Sequence, residues 1–192
     1  MNTTTGWIVG VIIVLLLIAG GWWLIQPGSP TSENAGFATT TTSGNNQAPI
    51  VFTNRPNDTV DTVVASLASE SQAAAILSST GVSGTLSGKG PYTVFISTDA
   101  GFNLLPKGTI TNMTSAQKKR LAQYSVVGKL LNVSATDSGT VQALSGDPLN
   151  FNVQDSGLVQ VNSSFVLEQY KTKNGIVYVI NQPLLPPVKN NY

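Results

Sequence analysis

Side chains able to do chemistry are few and scattered in this sequence. It contains no Cys and no His, which removes thiolate and imidazole nucleophiles, bases and metal ligands together. The nine acidic residues are Glu33, Asp58, Asp61, Glu70, Asp99, Asp137, Asp147, Asp155 and Glu168. General acid–base catalysis needs two groups set against one another, one of them tuned towards neutrality, and no pair here has a spacing that implies it. Asp58 and Asp61 are near neighbours, but they suit a helix start, where negative charge meets the positive end of the backbone dipole. No acidic run has the spacing of an EF-hand loop. Gly88-Lys89-Gly90-Pro91 leads into a strand, so it lacks the helix that aims backbone amides at phosphate. A Ser–Lys pair would be chemically competent, but no motif supports one. The residues predict a protein that is not an enzyme and holds no cofactor or metal.

Charge excludes a second class. Ten Lys and Arg oppose nine acids in 192 residues, a net charge of +1, which gives no electrostatic footprint for nucleic acid. Lys118-Lys119-Arg120 is the densest basic run, and within a helix it reads as a solvated face whose field is screened beyond about 8 Å. The absence of Cys leaves the redox compartment open.

The elements that carry these residues begin with a long apolar stretch. Gly6 to Ile25 reads GWIVGVIIVLLLIAGGWWLI, without a charge. At about 1.5 Å per residue it matches the roughly 30 Å hydrocarbon core of a bilayer. Trp7 at one end, with Trp22 and Trp23 at the other, are placed as interface anchors. Residues 6–26 are therefore predicted to be a transmembrane signal anchor behind a tail of residues 1–5, with the lipid bilayer as first partner. The alternative is a cleaved signal peptide, for which Ala19-Gly20-Gly21 is a small-residue cleavage site, although such apolar stretches usually run to about 7–15 residues behind a positive start. Gly6 and Gly10 form one GxxxG spacing that would suit helix self-association. The first Lys or Arg is Arg55, so flanking charge does not orient the segment.

Residues 27–49 are rich in Gly, Ser, Thr and Asn and lack apolar periodicity, which predicts a flexible tether. The Thr39–Thr42 run is open to O-linked sugar but reads most simply as spacer. Five Asn-x-Ser/Thr triplets begin at Asn2, Asn57, Asn112, Asn132 and Asn162, about as many as chance gives in so Asn- and Ser/Thr-rich a chain.

From residue 50 the pattern is that of a packed domain extending to 188, before a tail of residues 189–192. Val60, Val63, Val64 and Leu67 share one helical face, with Asp58 as its N-cap. Ser69-Glu70-Ser71-Gln72 has the form of a capping box before a second helix that stops at Gly81. Tyr92–Ile96 is a β-branched and aromatic strand. Thr98-Asp99 caps a short helix that ends at Pro106. Thr114/Ser115 start another through Gln123, followed by Tyr124-Ser125-Val126-Val127 as a buried strand. Strands are predicted at Val141–Leu144, Leu149–Val153, Leu158–Val161, Phe165–Gln169 and Ile176–Ile180. The turns between them are Ser145–Pro148, Asp155–Gly157 and Asn174-Gly175, the last being a strong hairpin signal. Helices come mostly first and strands mostly last, so the class is α+β.

Two blocks in this stretch carry a family resemblance. GKGPYTVFISTDAGFNLLPKGT resembles the first conserved block of fasciclin (FAS1) domains, and KNGIVYVINQPLLPP resembles the closing one. QYSVVGKLL falls between them where that family has Tyr-His-Val-Val. The resemblance runs from about Asn57 to Pro187, in order and at matching intervals. It implies a wedge of two β-sheets with helices packed beside them, displayed outside the cell and associated with adhesion, matrix attachment and protein contact. It also implies an orientation, with the N-terminus cytoplasmic and the domain extracytoplasmic, or secreted if the apolar segment is cleaved.

Two departures bear on function. The family's His is Ser125 here, so integrin-type adhesion through Tyr124, Ser125, Val126 and Val127 does not carry over, and that stretch reads first as a buried strand. Ile96-Ser97 replace Ala-Pro and Gly101 replaces Ala, which read as tolerated packing changes. Asp99 reads as a helix cap.

The resulting expectation is a non-catalytic, membrane-anchored module binding a surface or matrix protein or carbohydrate, with self-association as a route to multivalency. The alternatives are a carrier of a small apolar ligand such as a lipid or pigment, and an accessory subunit of a membrane complex.

Overall fold

The computed structural model of the protein describes residues 50–132, 138–154 and 157–188. The predicted membrane segment 6–26 with Trp7, Trp22 and Trp23, the tether 27–49 and the tail 189–192 lie outside the described residues, as do Asp155 and Ser156. Among the described residues no helix is long and apolar enough to cross a membrane.

Two apolar strands from opposite ends of the domain form its centre. β2 (Tyr92–Ser97) and β8 (Gly175–Ile180) run parallel, Tyr92 opposite Gly175 and Ser97 opposite Ile180. Every residue of β8 is buried, as a strand covered on both faces requires. β3 (Val126–Val127) pairs antiparallel with the outer edge of β2, and β7 (Ser164–Thr172) pairs antiparallel with β8. The other edge of β7 is shared. Its C-terminal part pairs in parallel with β1 (Val51–Arg55), and its first residues pair with β6 (Val159–Val161). β5 (Pro148–Val153) and β4 (Gly139–Gln142) follow antiparallel beyond β6. A bulge between Val166 and Glu168 interrupts β7, and a bulge bends its strand. One strand thus belongs to two sheets, and the sheets open as a wedge.

The wedge holds one core, in which Phe95 and Tyr178 stack at 5.5 Å beside Tyr124, Leu149, Phe151 and Val161. The helices cover the opposite face of the central strands and enclose a second core. It includes Val60, Val63, Val64, Leu77, Leu86, Ile96 and Val177.

Helix boundaries depart from the sequence expectation where capping comes from elsewhere. α1 (Val60–Ser66) is capped by Thr59, whose hydroxyl accepts from the Thr62 N–H, and not by Asp58. Asp58 instead receives the Arg55 guanidinium at 2.6 Å. The predicted capping box at Ser69–Gln72 does not form. A 3-10 turn covers Ala68–Glu70, and α2 (Ser71–Ser79) receives its cap from Asp99, which accepts from the Gln72 N–H at 2.9 Å and from the Ser71 hydroxyl. Gly81 stops α2 in the left-handed region at φ +74° and opens a further short helix, α3 (Val82–Leu86), absent from the sequence expectation. Thr98 caps α4 (Asp99–Asn103) through the Gly101 N–H. α5 (Ser115–Tyr124) carries a true capping box between Thr114 and Gln117.

The Asn-Gly hairpin forms, but for a different reason. Lys173-Asn174 is the two-residue loop, with Thr172 opposite Gly175, and neither loop residue has positive φ. Gly175 meets a demand for space: a Cβ there would lie 2.1 Å from the Tyr92 carbonyl oxygen. The buried Asn174 side chain is a junction. Its Nδ2 donates to the Leu86 and Gly88 carbonyls at 2.8 and 2.7 Å, and its Oδ1 accepts from the Val60 N–H at 2.8 Å. It therefore joins the start of α1 to the end of α3.

Candidate interaction surface

Tyr124 closes α5 as its last helical residue, Ser125 is the C-cap, and the strand begins only at Val126. This corrects the expected strand over Tyr124–Val127. The side chains of Tyr124, Val126 and Val127 are buried, at 3%, 0% and 1% exposure. The Tyr124 hydroxyl donates to the Pro148 carbonyl at 3.0 Å and accepts from Asn162 Nδ2 at 2.9 Å. Asn162 sits in the left-handed region at φ +52°, in the turn between β6 and β7. Tyr124 thus ties α5 to the second sheet. Half-buried Ser125 donates to the Leu121 carbonyl. In this conformation three of the four side chains of the stretch act on a partner only by shaping the surface above them.

That surface is built by the C-terminal segment. Asn181 exchanges two hydrogen bonds with the backbone of Phe165, at 3.0 Å through its N–H and 2.8 Å through its Oδ1. From there residues 182–187 form a strap whose Leu184 is buried. Arg120 holds its far end, donating to the Pro187 carbonyl at 2.9 Å while gripping both oxygens of Asp147 at 3.0 and 2.9 Å. Arg120 is therefore no part of a solvated basic face, as the sequence implied. Gly101 lies directly against this segment. A Cβ there would come 2.3 Å from the Asn181 carbonyl oxygen and 2.5 Å from the Ser97 hydroxyl, so Gly in place of the family's Ala is required in this chain.

On the outer side of the strap is an open groove of about 300 Å³, bounded by the end of α4, the β6–β7 turn and residues 182–185. Two Leu-Leu-Pro triplets, Leu104–Pro106 and Leu184–Pro186, contribute all four leucines to its lining. Leu104 is 71% exposed and Leu185 42%. Ser163 and Gln182 add an exposed hydroxyl and amide, and no charged side chain lines the groove. Beneath the strap, between α2, α4, α5 and the sheet, lies a space of about 20 Å³, room for a single water. Sequence reasoning missed the groove, and the repeated Leu-Leu-Pro was the signal that pointed to it.

The acidic residues that converge are structural. Glu70, 4% exposed, has its carboxyl pushed above the usual range by burial first and then by Glu168 and Asp99. Burial, with the hydrogen bond from its hydroxyl to Glu168, raises the Tyr170 phenol. Asp99 is a cap, as expected, but of α2 and not of its own helix. Among the described residues no group of three or more acids could hold a metal ion. Of the Asn-x-Ser/Thr triplets, Asn57 and Asn112 are exposed, whereas Asn162 is engaged with Tyr124 and its Ser164 is buried.

The chain matches the fasciclin domain over residues 68–186. It is similar to protein sll1483 of Synechocystis sp. (strain ATCC 27184 / PCC 6803 / Kazusa), with 31% identity over 107 residues, covering 54% of this chain and 59% of that one. It is also similar to the uncharacterized protein sll1735 of the same organism, with 31% identity over 103 residues, covering 52% of this chain and 77% of that one. Among solved structures, a FAS1 domain pair from the insect cell adhesion molecule fasciclin I superimposes with a TM-score of 0.51 at 16% identity. That match covers 64% of this chain and 47% of the other. The match thus spans less than two thirds of the first relative and about half of the insect domain pair. Fasciclin domains are typically adhesion or interaction modules and are generally non-catalytic. The bulged strand shared by two sheets, the helices on the far face and the match over most of the domain agree, and the chain belongs to the fasciclin-domain family.

Proposed function

We propose that this protein is a membrane-anchored interaction module, its N-terminus cytoplasmic and its fasciclin domain displayed outside the cytoplasm to a surface or matrix protein or carbohydrate. The observation that carries the reading is the uncharged apolar stretch from Gly6 to Ile25, ahead of a domain of an adhesion-associated family. Its length suits a bilayer, and Trp7, Trp22 and Trp23 suit the two interfaces. Tethering raises effective concentration at the surface, so contacts that are weak singly act together through density or self-association. The uncharged groove beside the strap supports contact with a neutral partner in preference to a charged one.

A carrier role for a lipid or pigment is the second reading. Ligand pockets usually enclose about 300–1,000 Å³, and the space of about 20 Å³ between the helices and the sheet gives that reading less support.

Protease shaving of intact cells that express a C-terminally tagged protein tests the proposal, with membrane and medium fractions compared. Loss of the tag from a full-length membrane species supports it. Processed protein in the medium would replace the anchor by a cleaved signal. A tag cut only after the cells are opened would overturn external display.

A further inference from the structure

Positive charges that are scattered along the sequence meet at one end of the central strands. Lys171, Ile176 and Thr93 stand in one register across β7, β8 and β2, and Lys173 lies in the loop between β7 and β8. Lys89 is beside that loop, because both its neighbours touch Asn174. The Gly88 carbonyl accepts from Asn174 Nδ2 at 2.7 Å, and Gly90 leaves no room for a Cβ against the Asn174 carbonyl. Lys129 follows β3 at the same end, where its carbonyl accepts from the Thr93 hydroxyl at 2.8 Å. All four lysines are exposed. Arg55 closes β1 opposite Thr172, but Asp58 engages its guanidinium at 2.6 Å. Asp61, in the first turn of α1, also flanks this end. Asp99 and Glu168 lie towards the other end, past Ser97 and opposite Val179, and both are engaged in internal hydrogen bonds.

The arrangement is a row. β7, β8, β2 and β3 are consecutive in the sheet, so the lysines spread over three interstrand spacings, about 14 Å. Neighbouring strands are about 5 Å apart, inside the roughly 8 Å over which charge acts at physiological salt, so the fields add. A line of like charges fits a linear polyanion, whose charges repeat along an extended chain. Lysines suit it, because a compact ammonium on a flexible stem follows anionic groups at variable spacing. Among the described residues no aromatic side chain is exposed, so nucleic-acid bases have no platform to stack on. The exposed Leu130, beside Lys129, and Leu144, against Gly128, lie at the β3 end of the row. Apolar insertion into a lipid surface would therefore engage that end alone. The acidic groups at the far end of the strands are already bonded within the domain, which disfavours a second copy as the anionic partner.

We infer that Lys89, Lys129, Lys171 and Lys173 form a binding row for a linear polysaccharide that carries carboxylate or sulfate groups. The neutral groove lies past the other end of β8, so the domain has separate surfaces for a polyanion and for a neutral partner. Neither the groove nor a membrane span is needed for the row to act.

The test measures heparin binding to the full chain in mild non-ionic detergent, with neutral dextran as control, at salt from about 50 to 200 mM. At about 0.7 counterions released per contact, as for single strands, four ammonium contacts give a log–log salt slope of about −2.8 and weaken binding about 50-fold over that range. Lys89→Gln/Lys173→Gln should weaken binding at least ten-fold at the lowest salt and halve the slope. Lys118→Gln/Lys119→Gln removes the same charge from α5, the densest basic run in the sequence, and should stay within two-fold of wild type. Unchanged thermal midpoints check that both variants fold. Equal heparin affinity in the two double variants would overturn the inference, as would a slope near zero or equal binding of dextran. Tighter binding of phosphatidylserine vesicles than of heparin would assign a membrane surface, and tighter binding of a single-stranded oligonucleotide would assign a nucleic acid. Salt-sensitive self-association that Lys89→Gln/Lys173→Gln abolishes would assign a second copy. Each of these three results overturns it too.

Discussion

Replacing Asn174 tests whether the domain is held by its turn or by the junction behind it. The side chain is buried and supplies partners to the Val60 N–H, the Leu86 carbonyl and the Gly88 carbonyl. Asn174→Ala removes the side-chain partner of all three. Val60 and Leu86 are both 0% exposed, so water does not replace the lost bonds there, and each buried unsatisfied group costs about 1–3 kcal/mol. Gly88 is exposed and recovers its bond from solvent. The sum is about 2–6 kcal/mol, a large part of the roughly 5–15 kcal/mol that holds a domain of this size together. The thermal midpoint should fall by about 10 °C or more. Asn174→Gly separates the two explanations. A turn role predicts that Gly is harmless, whereas the junction predicts a loss as large as that of Ala. Asn174→Asp keeps the acceptor for Val60 but turns a carboxylate towards two carbonyl oxygens, so it should be severely destabilised at neutral pH and partly recover as acid protonates it. Denaturant or thermal unfolding of the three variants beside Lys173→Ala, an exposed neighbour, provides the assay. A loss of less than 1 kcal/mol in both Asn174→Ala and Asn174→Gly would refute the reasoning.

Gly101→Ala should cost about 1–3 kcal/mol, because its Cβ meets the Asn181 carbonyl oxygen at 2.3 Å; an unfolding midpoint equal to wild type would show that the strap yields freely. Tyr124→Phe leaves the Pro148 carbonyl and Asn162 Nδ2 without their shared partner and should lose about 1–2 kcal/mol in the same assay. Glu70 keeps its proton in the folded state above pH 4.5, where the unfolded chain has lost it. Its burial therefore makes stability fall as pH rises through and above that value. Glu70→Gln should match wild type below pH 4.5 and exceed it near neutrality, and a difference that is constant with pH would refute the assignment. Above pH 10, the ordinary value for the phenol, the raised Tyr170 group makes stability fall as pH rises, and Tyr170→Phe should flatten that alkaline limb in pH-dependent unfolding.

The sequence made the α+β class and most of the later strands legible because their signals are local, whereas the wedge entered only as what the family resemblance implies. Alternating β-branched residues, Gly turns and a hydroxyl before a helix each act within a few residues. What it hid was set by partners distant in sequence. Asp99 was readable as a cap, but not as the cap of α2, because the acceptor lies 27 residues from the Gln72 N–H. Arg120 looked solvated among basic neighbours, and its pairing with Asp147 is likewise a tertiary event. β1 escaped because its burial is partial and does not alternate cleanly, so its sequence lacks the period of a half-buried strand. In the candidate site, Tyr124 was legible as buried but not as helical.

The two blocks that reveal the family are, in three dimensions, one object. β2 from the first block lies against β8 from the second over its whole length. The turns at both ends lock them together: the Tyr92 N–H donates to the Asn174 carbonyl at 3.0 Å and the Thr98 N–H to the Ile180 carbonyl at 3.1 Å. Gly90 at one end and Gly101 at the other leave no room for a Cβ against Asn174 and Asn181. The pattern that makes the family recognisable is thus the steric code of a buried parallel pair and its two closures. Such a code fixes how the chain folds and is blind to what the folded chain touches. Contact must come from side chains that this packing leaves free, and within the same blocks those include the groove-lining residues Leu104, Gln182 and Leu185. A loss of partner binding in variants of these three, at unchanged stability, would place recognition on the groove. Binding that survives all three would move it to another face of the domain.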